Sequence, residues 1–571
     1  MASCPFQKLC WVHPVDDQPP FLVTASGPLL ISLDSKDGSV LSQWPKQDET
    51  TQHKYSQEST ENGERSTKRQ KLDTDDHVAL SRQTSQDSIE IISERKKGER
   101  RKPKVETTKQ PNFSHLVATS DGTTVVGVMT EDKSINVFQV LSAGELSLQS
   151  KRSMPKRMCA IILTPDEKTI LVGDKFGDVY SLPLHPAEDW VAQKSEQKEV
   201  FIPSATELTV HTKGNLEALR QQREQKIRNP KKEGPDFEHK LLLGHVSLLT
   251  DVVIAEIQDG LKRKQFILTS DRDEHIRVSR GVSQAHIIEA YCMGHREFVS
   301  CLSIMPWKSE YLVAGSGEPS LKVFDWQNGR LLDEELFHGA VQQDITNALP
   351  EADEGRTVDR LAVTGIWPIH YSAAQNSPNT SQPPHILLVA LEGLPLLLSY
   401  KLDDYGKLLH HQTLTLAGNI LDVGIGPALW DIVVSIDTVH RPGSVKTLRP
   451  EETPAPELFE TFELFSNLDD MNDSTEQLEH YTELRWERSS YAMLLNNAAA
   501  AVERIKVSTE PPPQSKGVYG AVGEVLYGLE NLRKKSHGEA NVDGEEPLEE
   551  AIVEAEMGTT PEPIIAEQVH V

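Results

Sequence analysis

The residues of this 571-residue chain with the type and spacing to do chemistry are two histidines, one dense charged run and a few glycines. His245 and His295 each follow a glycine, in Leu243-Gly244-His245 and Met293-Gly294-His295, 50 positions apart. Such a histidine could act as a base or a metal ligand. At the start of a repeated strand-rich unit, a structural hydrogen bond explains both better. Between them, Asp271-Arg272-Asp273-Glu274 crowds four charges into one turn, followed by His275 and Arg277. Gly517-Val-Tyr-Gly520-Ala-Val-Gly523 has the spacing of the glycine-rich cofactor loop a methyltransferase would need, but it follows Pro511-Pro-Pro513 rather than a strand, which such a loop requires. No GxSxG elbow, HExxH pair or P-loop occurs. The five cysteines, Cys4, Cys10, Cys159, Cys292 and Cys301, form no CxxC pair. Their scatter fits a reducing compartment and no thiolate-bound zinc. The expectation is a chain without a catalytic site and without a cofactor.

The elements that must hold these residues are strands. Phe21–Ala25 and Pro28–Leu33 flank the turn pair Ser26-Gly27. From about Phe113 to Asp437 short apolar runs recur between Gly, Asp and Pro. Thr124–Thr130, Ser134–Val140, Gln265–Ser270, Tyr311–Gly315, His385–Ala390 and Asp431–Ile436 are the clearest. This pattern predicts an all-β propeller or barrel. One stretch, Thr212–Lys232, carries helix formers in Leu216–Lys226 and predicts a helical insertion at about 205–238. Its basic residues make it a weak candidate for brushing a nucleic-acid backbone.

Two regions lack this pattern. Residues 46–110 carry 15 basic and 13 acidic residues and almost no aromatics, which predicts disorder. Their basic residues gather at Lys68-Arg69-Gln70-Lys71 and at Arg95-Lys96-Lys97 with Arg100–Lys104, as nuclear-import signals do. Residues 450–484 hold 11 acidic residues and 536–571 hold 10, with no Lys or Arg in either. Much of the net charge of −27 therefore sits in a C-terminal region, 446–571, expected to be mostly disordered apart from a helix at about 483–504. So acidic a chain is not expected to coat nucleic acid by itself. The start of the sequence carries no signal-peptide pattern and no apolar run reaches 18 residues, so the expectation is a soluble protein inside the cell, in the nucleus.

Internal repetition sharpens the fold. After each Gly-His comes a strand, an acidic turn and a strand ending near a Trp-Asp-type position, with Phe324-Asp325 standing there in the second unit. A Gly-His start and a Trp-Asp-like end every 40–50 residues or so is the WD-repeat blade signature. The count is about seven units, with 1–45 as the first propeller strands, 46–110 as an insertion splitting the first unit, and 111–445 as the main body. Ring closure is expected through first and last strands sharing a blade. In the Asp271–Ser279 unit, Ser279 stands where Trp is usual and Arg280 where Asp is usual, so the polar network of this blade should be interrupted. Alternation along the strand would turn Ile276 and Val278 inward and His275, Arg277 and Ser279 to the other side.

Residues Leu241–Val252, Phe266–Ser279 and Gly294–Ser300 resemble the non-catalytic WD-repeat subunit of the tRNA guanine-N7 methyltransferase, in its fungal form. The likeness is loose over the whole propeller and tight over 241–300. It implies a propeller that binds and stabilises the active form of a separate catalytic subunit. That partner uses S-adenosylmethionine to methylate a guanine in the tRNA variable loop. It also implies that Arg277 forms a salt bridge to the catalytic subunit, with Arg272, Glu274 and His275 beside it. A propeller is a general platform, so a nuclear adaptor for a ubiquitin ligase or a chromatin complex is the alternative.

Overall fold

Seven four-stranded antiparallel sheets form in chain order, each from four consecutive strands. In the computed structural model the described residues run from 2 to 534, short gaps aside, except 47–110, 191–208, 225–234, 370–384, 467–483 and 508–525. The blades span Lys8–Trp44, Phe113–Ser153, Met158–Gly244, Leu249–Cys292, Val299–Leu336, Val363–Thr415 and Ile420–Arg488. The fold is therefore a seven-bladed β-propeller. Because each sheet is sandwiched between two others, its inner strands are buried on both faces. Ile386–Leu391, for example, is buried at every position. The interface of the fourth and fifth blades shows the result: Leu268, Ile276, Val278, Phe324 and Trp326 share one apolar cluster.

Three points differ from the expectation. No blade is shared between the chain ends; closure comes from packing between the seventh and first blades. There the Asp422 carboxylate accepts the Leu9 amide at 2.9 Å and Phe6 stacks on Phe459. The helix Tyr491–Ala501 buries Leu495 and Ala499 in the same cluster, and Ala2–Ser3 pairs with Lys506–Val507. Second, residues 46–110 separate the first blade from the second instead of splitting a blade. Third, the outer strands of the seventh blade, Phe459–Ser466 and Leu484–Arg488, come from the segment read as acidic tail. Their Phe462, Leu464 and Trp486 fill the core, which net charge cannot reveal. Two further helices, α1 (Lys213–Glu224) and α2 (Gly339–Ala348), lie in connections, α1 inside the third blade and α2 after the fifth. We call Tyr491–Ala501 α3. Met1–Leu532 forms one unit; of a second, Arg533–Val571, only Arg533 and Lys534 are described. Both basic clusters of 46–110 and the Gly517–Gly523 stretch lie outside the described residues.

Candidate functional site

Antiparallel order puts two kinds of connection on one face of the ring: the turn between the second and third strands of a blade, and the loop leading into the next blade. In the fourth blade this juxtaposes Asp271–His275 with the His245 loop. Asp271 organises both. Its Oδ1 accepts the amides of Asp273 at 2.9 Å and His275 at 3.1 Å, and its Oδ2 pairs with His245 Nδ1 at 3.0 Å. The other ring nitrogen of His245 meets Thr269 Oγ1 at 2.7 Å. Burial pushes the Asp271 carboxyl up, but the hydrogen bonds from His245 and the His275 amide outweigh it, leaving the carboxyl below its ordinary range. A buried carboxylate with donors on both oxygens is a structural device, and so is its histidine.

The expected interruption of this network is only partial. The histidine, aspartate and threonine are all joined; what is missing is the tryptophan. Its place is taken by Ser279, and Arg277 reaches over to it. Arg277 Nε donates to Ser279 Oγ at 2.9 Å and a terminal nitrogen donates to the Gly244 carbonyl at 3.1 Å. Both faces of this strand are covered: Ile276 and Val278 are buried on one side, and on the other Ser279 is fully buried and Arg277 is 9% exposed. Burial also lowers the guanidinium's pKa, an effect that the nearby Tyr291 opposes.

A neighbouring blade supplies the control. Arg277 stands opposite Thr269 on its partner strand, and Lys322 stands opposite Ala314 at the matching position one blade on. Lys322 is 1% exposed and meets two carboxylates, Glu318 at 3.1 Å and Glu334 at 2.7 Å. Arg277 meets only neutral acceptors among the described residues. One blade neutralises its buried cation with carboxylates; the other holds its cation on neutral acceptors among the described residues.

The space beside Arg277 is open. A cavity of about 560 Å³ is lined by Gly244, His245, Asp271, Asp273, His275 and Arg277, with Val246, Tyr291 and Met293 around it. These last three side chains are exposed apolar surface. His275 lies edge-on to Tyr291, with ring centres 6.5 Å apart. The four residues expected at the site thus occupy one turn and strand, but they do different things. Arg277 and His275 line the cavity. Arg272 turns away, its amide bonded to Leu248 and its Nε to the Leu532 carbonyl at 2.8 Å. Glu274 forms the turn itself, with a left-handed φ of 75°. The apolar rim carries no motif of its own in the sequence. Tyr291 lies near the end of an outer strand, Ile288–Cys292, and Met293 just past it, a signal that only the placement of that strand makes readable.

Residues 22–462 match the family model described as the tRNA methyltransferase TRM82 WD40 domain. The chain belongs to this family. Relatives in it include the tRNA (guanine-N(7)-)-methyltransferase non-catalytic subunit TRM82 of Coccidioides immitis, 38% identical over 536 residues, 91% of this chain and 96% of that protein. The Aspergillus clavatus subunit of the same description is 36% identical over 548 residues, 94% of this chain and 98% of that protein. Among solved structures, that of U3-55K superposes with a TM-score of 0.44 at 11% identity, covering 80% of this chain and 95% of the other. The TRM82 match takes in every blade, at least in part, and contains the whole Asp271–Ser279 turn and strand.

Proposed function

We propose that this chain is the non-catalytic subunit of a tRNA (guanine-N7)-methyltransferase complex, docking its catalytic subunit at the fourth-blade cavity. Full-length relatives carrying that description support the first half of the reading over a ubiquitin-ligase or chromatin adaptor. The observation that carries the second half is the buried guanidinium of Arg277, bonded to no carboxylate among the described residues, in an open cavity with an apolar rim. A planar fork of donors at the base of such a cavity suits a carboxylate. Tyr291, Met293 and Val246 provide the kind of surface that loses water when a partner closes over it. The propeller's contribution is to hold the enzyme in its active form; S-adenosylmethionine and the methyl transfer belong to the partner. We place the complex in the nucleus, a reading supported by the two basic clusters within 68–104.

The test is Arg277→Ala, measured for both partner affinity and thermal stability. Truncating one side of a desolvated charge pair costs about 2–5 kcal/mol. The expected result is at least tenfold weaker binding of the catalytic subunit by a chain that stays folded. A folded Arg277→Ala protein that binds as tightly as wild type removes this residue from the interface.

A further inference from the structure

After the seventh blade the chain returns to the same face of the ring. Tyr527, Gly528 and Leu529 descend onto three buried polar side chains that belong to two blades and their junction. The Tyr527 hydroxyl donates to the Asp437 carboxylate and accepts the Asn419 amide at 3.2 Å. Its ring meets His440 edge-on at 5.2 Å. The amides of Gly528 and Leu529 both donate to Glu392 Oε1, at 2.8 and 2.9 Å. Asn419 and Asp437 are fully buried and Glu392 nearly so. Among the described residues the Glu392 carboxylate takes its hydrogen bonds from this segment, and a buried carboxylate stripped of its donors is costly, which favours the docked segment. The path then runs across the face. Glu530 pairs with Arg360 at 2.9 Å, at the entry to the sixth blade, and the Leu532 carbonyl ends on Arg272 of the fourth.

We infer that Tyr527–Leu532 is a positioning strap for the partner site. It ties the seventh and sixth blades to Arg272 and so holds the Asp271–His275 turn in the shape the catalytic subunit meets. This rests on the proposed docking at the fourth blade. A strap that blocked the site would fill the cavity, and none of the cavity's lining residues comes from it. The Arg277 guanidinium stays open while the strap is docked. Arg272 is therefore a positioning residue: it acts through the strap and the turn and need not touch the partner.

The experiment uses the full chain with Tyr527→Phe combined with Gly528→Pro, which removes the hydroxyl and one of the two amides that grip Glu392. Hydrogen exchange on the isolated chain reads the strap at the Leu529 amide and the turn at the amides of Asp273 and His275. Titration with the catalytic subunit reads affinity. Release of the strap is expected to raise exchange in the turn and to weaken the partner three- to tenfold. Arg272→Ala should do the same, and adding it to the strap variant should bring no further loss. A chain whose strap is released but whose turn exchange is unchanged overturns the inference, and so does tighter partner binding, which would make the strap a lid. The exchange readout needs no partner, so it separates this inference from the docking reading, which Arg277→Ala tests alone.

Discussion

Arg277 and Lys322 occupy one register position in adjacent blades and carry the same charge, yet they invite opposite expectations. Lys322 is a core group, held between Glu318 and Glu334. Its removal leaves Glu318 buried without its counter-ion, so Lys322→Ala should lower stability by about 3–5 kcal/mol, read as a fall in the denaturant midpoint. Arg277→Ala should cost far less stability and far more partner affinity. Arg277→Lys keeps the charge without the fork and should bind at an intermediate level, and Arg277→Glu should bind worst. Glu318 adds a pH test. Burial alone would raise its carboxyl, but the His295 hydrogen bond and Lys322 hold it down at about 2. A carboxyl lowered in the folded state contributes stability above its unfolded pKa of about 4.3, which is lost as pH falls through about 2. The stability advantage of wild type over Glu318→Gln should therefore be full at pH 6 and shrink between about pH 5 and pH 2. Urea titrations across that range showing a constant difference would refute the linkage.

At the scale of elements, the loop joining the third and fourth blades packs on a glycine in the turn between the second and third strands of the third blade. Gly177 has φ +97° and accepts the His245 amide on its carbonyl at 2.8 Å. A Cβ there would stand 2.5 Å from the carbonyl oxygens of His245 and Ser247, which are backbone and cannot swing aside. Gly177→Ala combines that clash with a conformation L-residues avoid, at a cost of about 1–3 kcal/mol for the strain alone. It should lower the thermal midpoint. Because the displaced loop carries His245 and Val246, partner binding should also weaken in protein that remains folded. Gly214 provides the comparison: a Cβ added there would meet nothing within 4 Å, so Gly214→Ala should be neutral or stabilising.

For the whole molecule, ring closure is a matter of surfaces meeting rather than strands being exchanged. The first blade is complete at Trp44 and the second begins at Phe113, so the intervening residues need contribute no strand to either. Replacing 47–110 with a short Gly/Ser linker keeps every strand of both blades and shortens the connection between them, which lowers the entropic cost of closing it. The thermal midpoint should hold or rise. The same replacement should leave a fluorescently tagged chain in the cytoplasm, because it removes both basic clusters; unchanged nuclear accumulation would refute the import reading.

The architecture was legible in the chain because a propeller repeats one unit. Gly244-His245 and Gly294-His295, the acidic turns after them and the apolar runs between turns each recur at blade spacing, and repetition turns weak local signals into a strong one. The Asp271–Ser279 stretch stood out for the same reason, as a blade breaking its own pattern at Ser279. Three things lay beyond that reading. The seventh blade draws Leu464 and Trp486 from an acidic background, and only the neighbouring sheet reveals them as core. Whether a buried cation is neutralised depends on acids brought in from other strands: Glu334 reaches Lys322, while no carboxylate is bonded to Arg277 among the described residues. The bond from Arg272 to Leu532 joins residues 260 positions apart. Blade spacing is a local property, written wherever the chain repeats. Charge compensation and the path of the returning strap are properties of the closed ring, decided only when distant segments come to lie on one face.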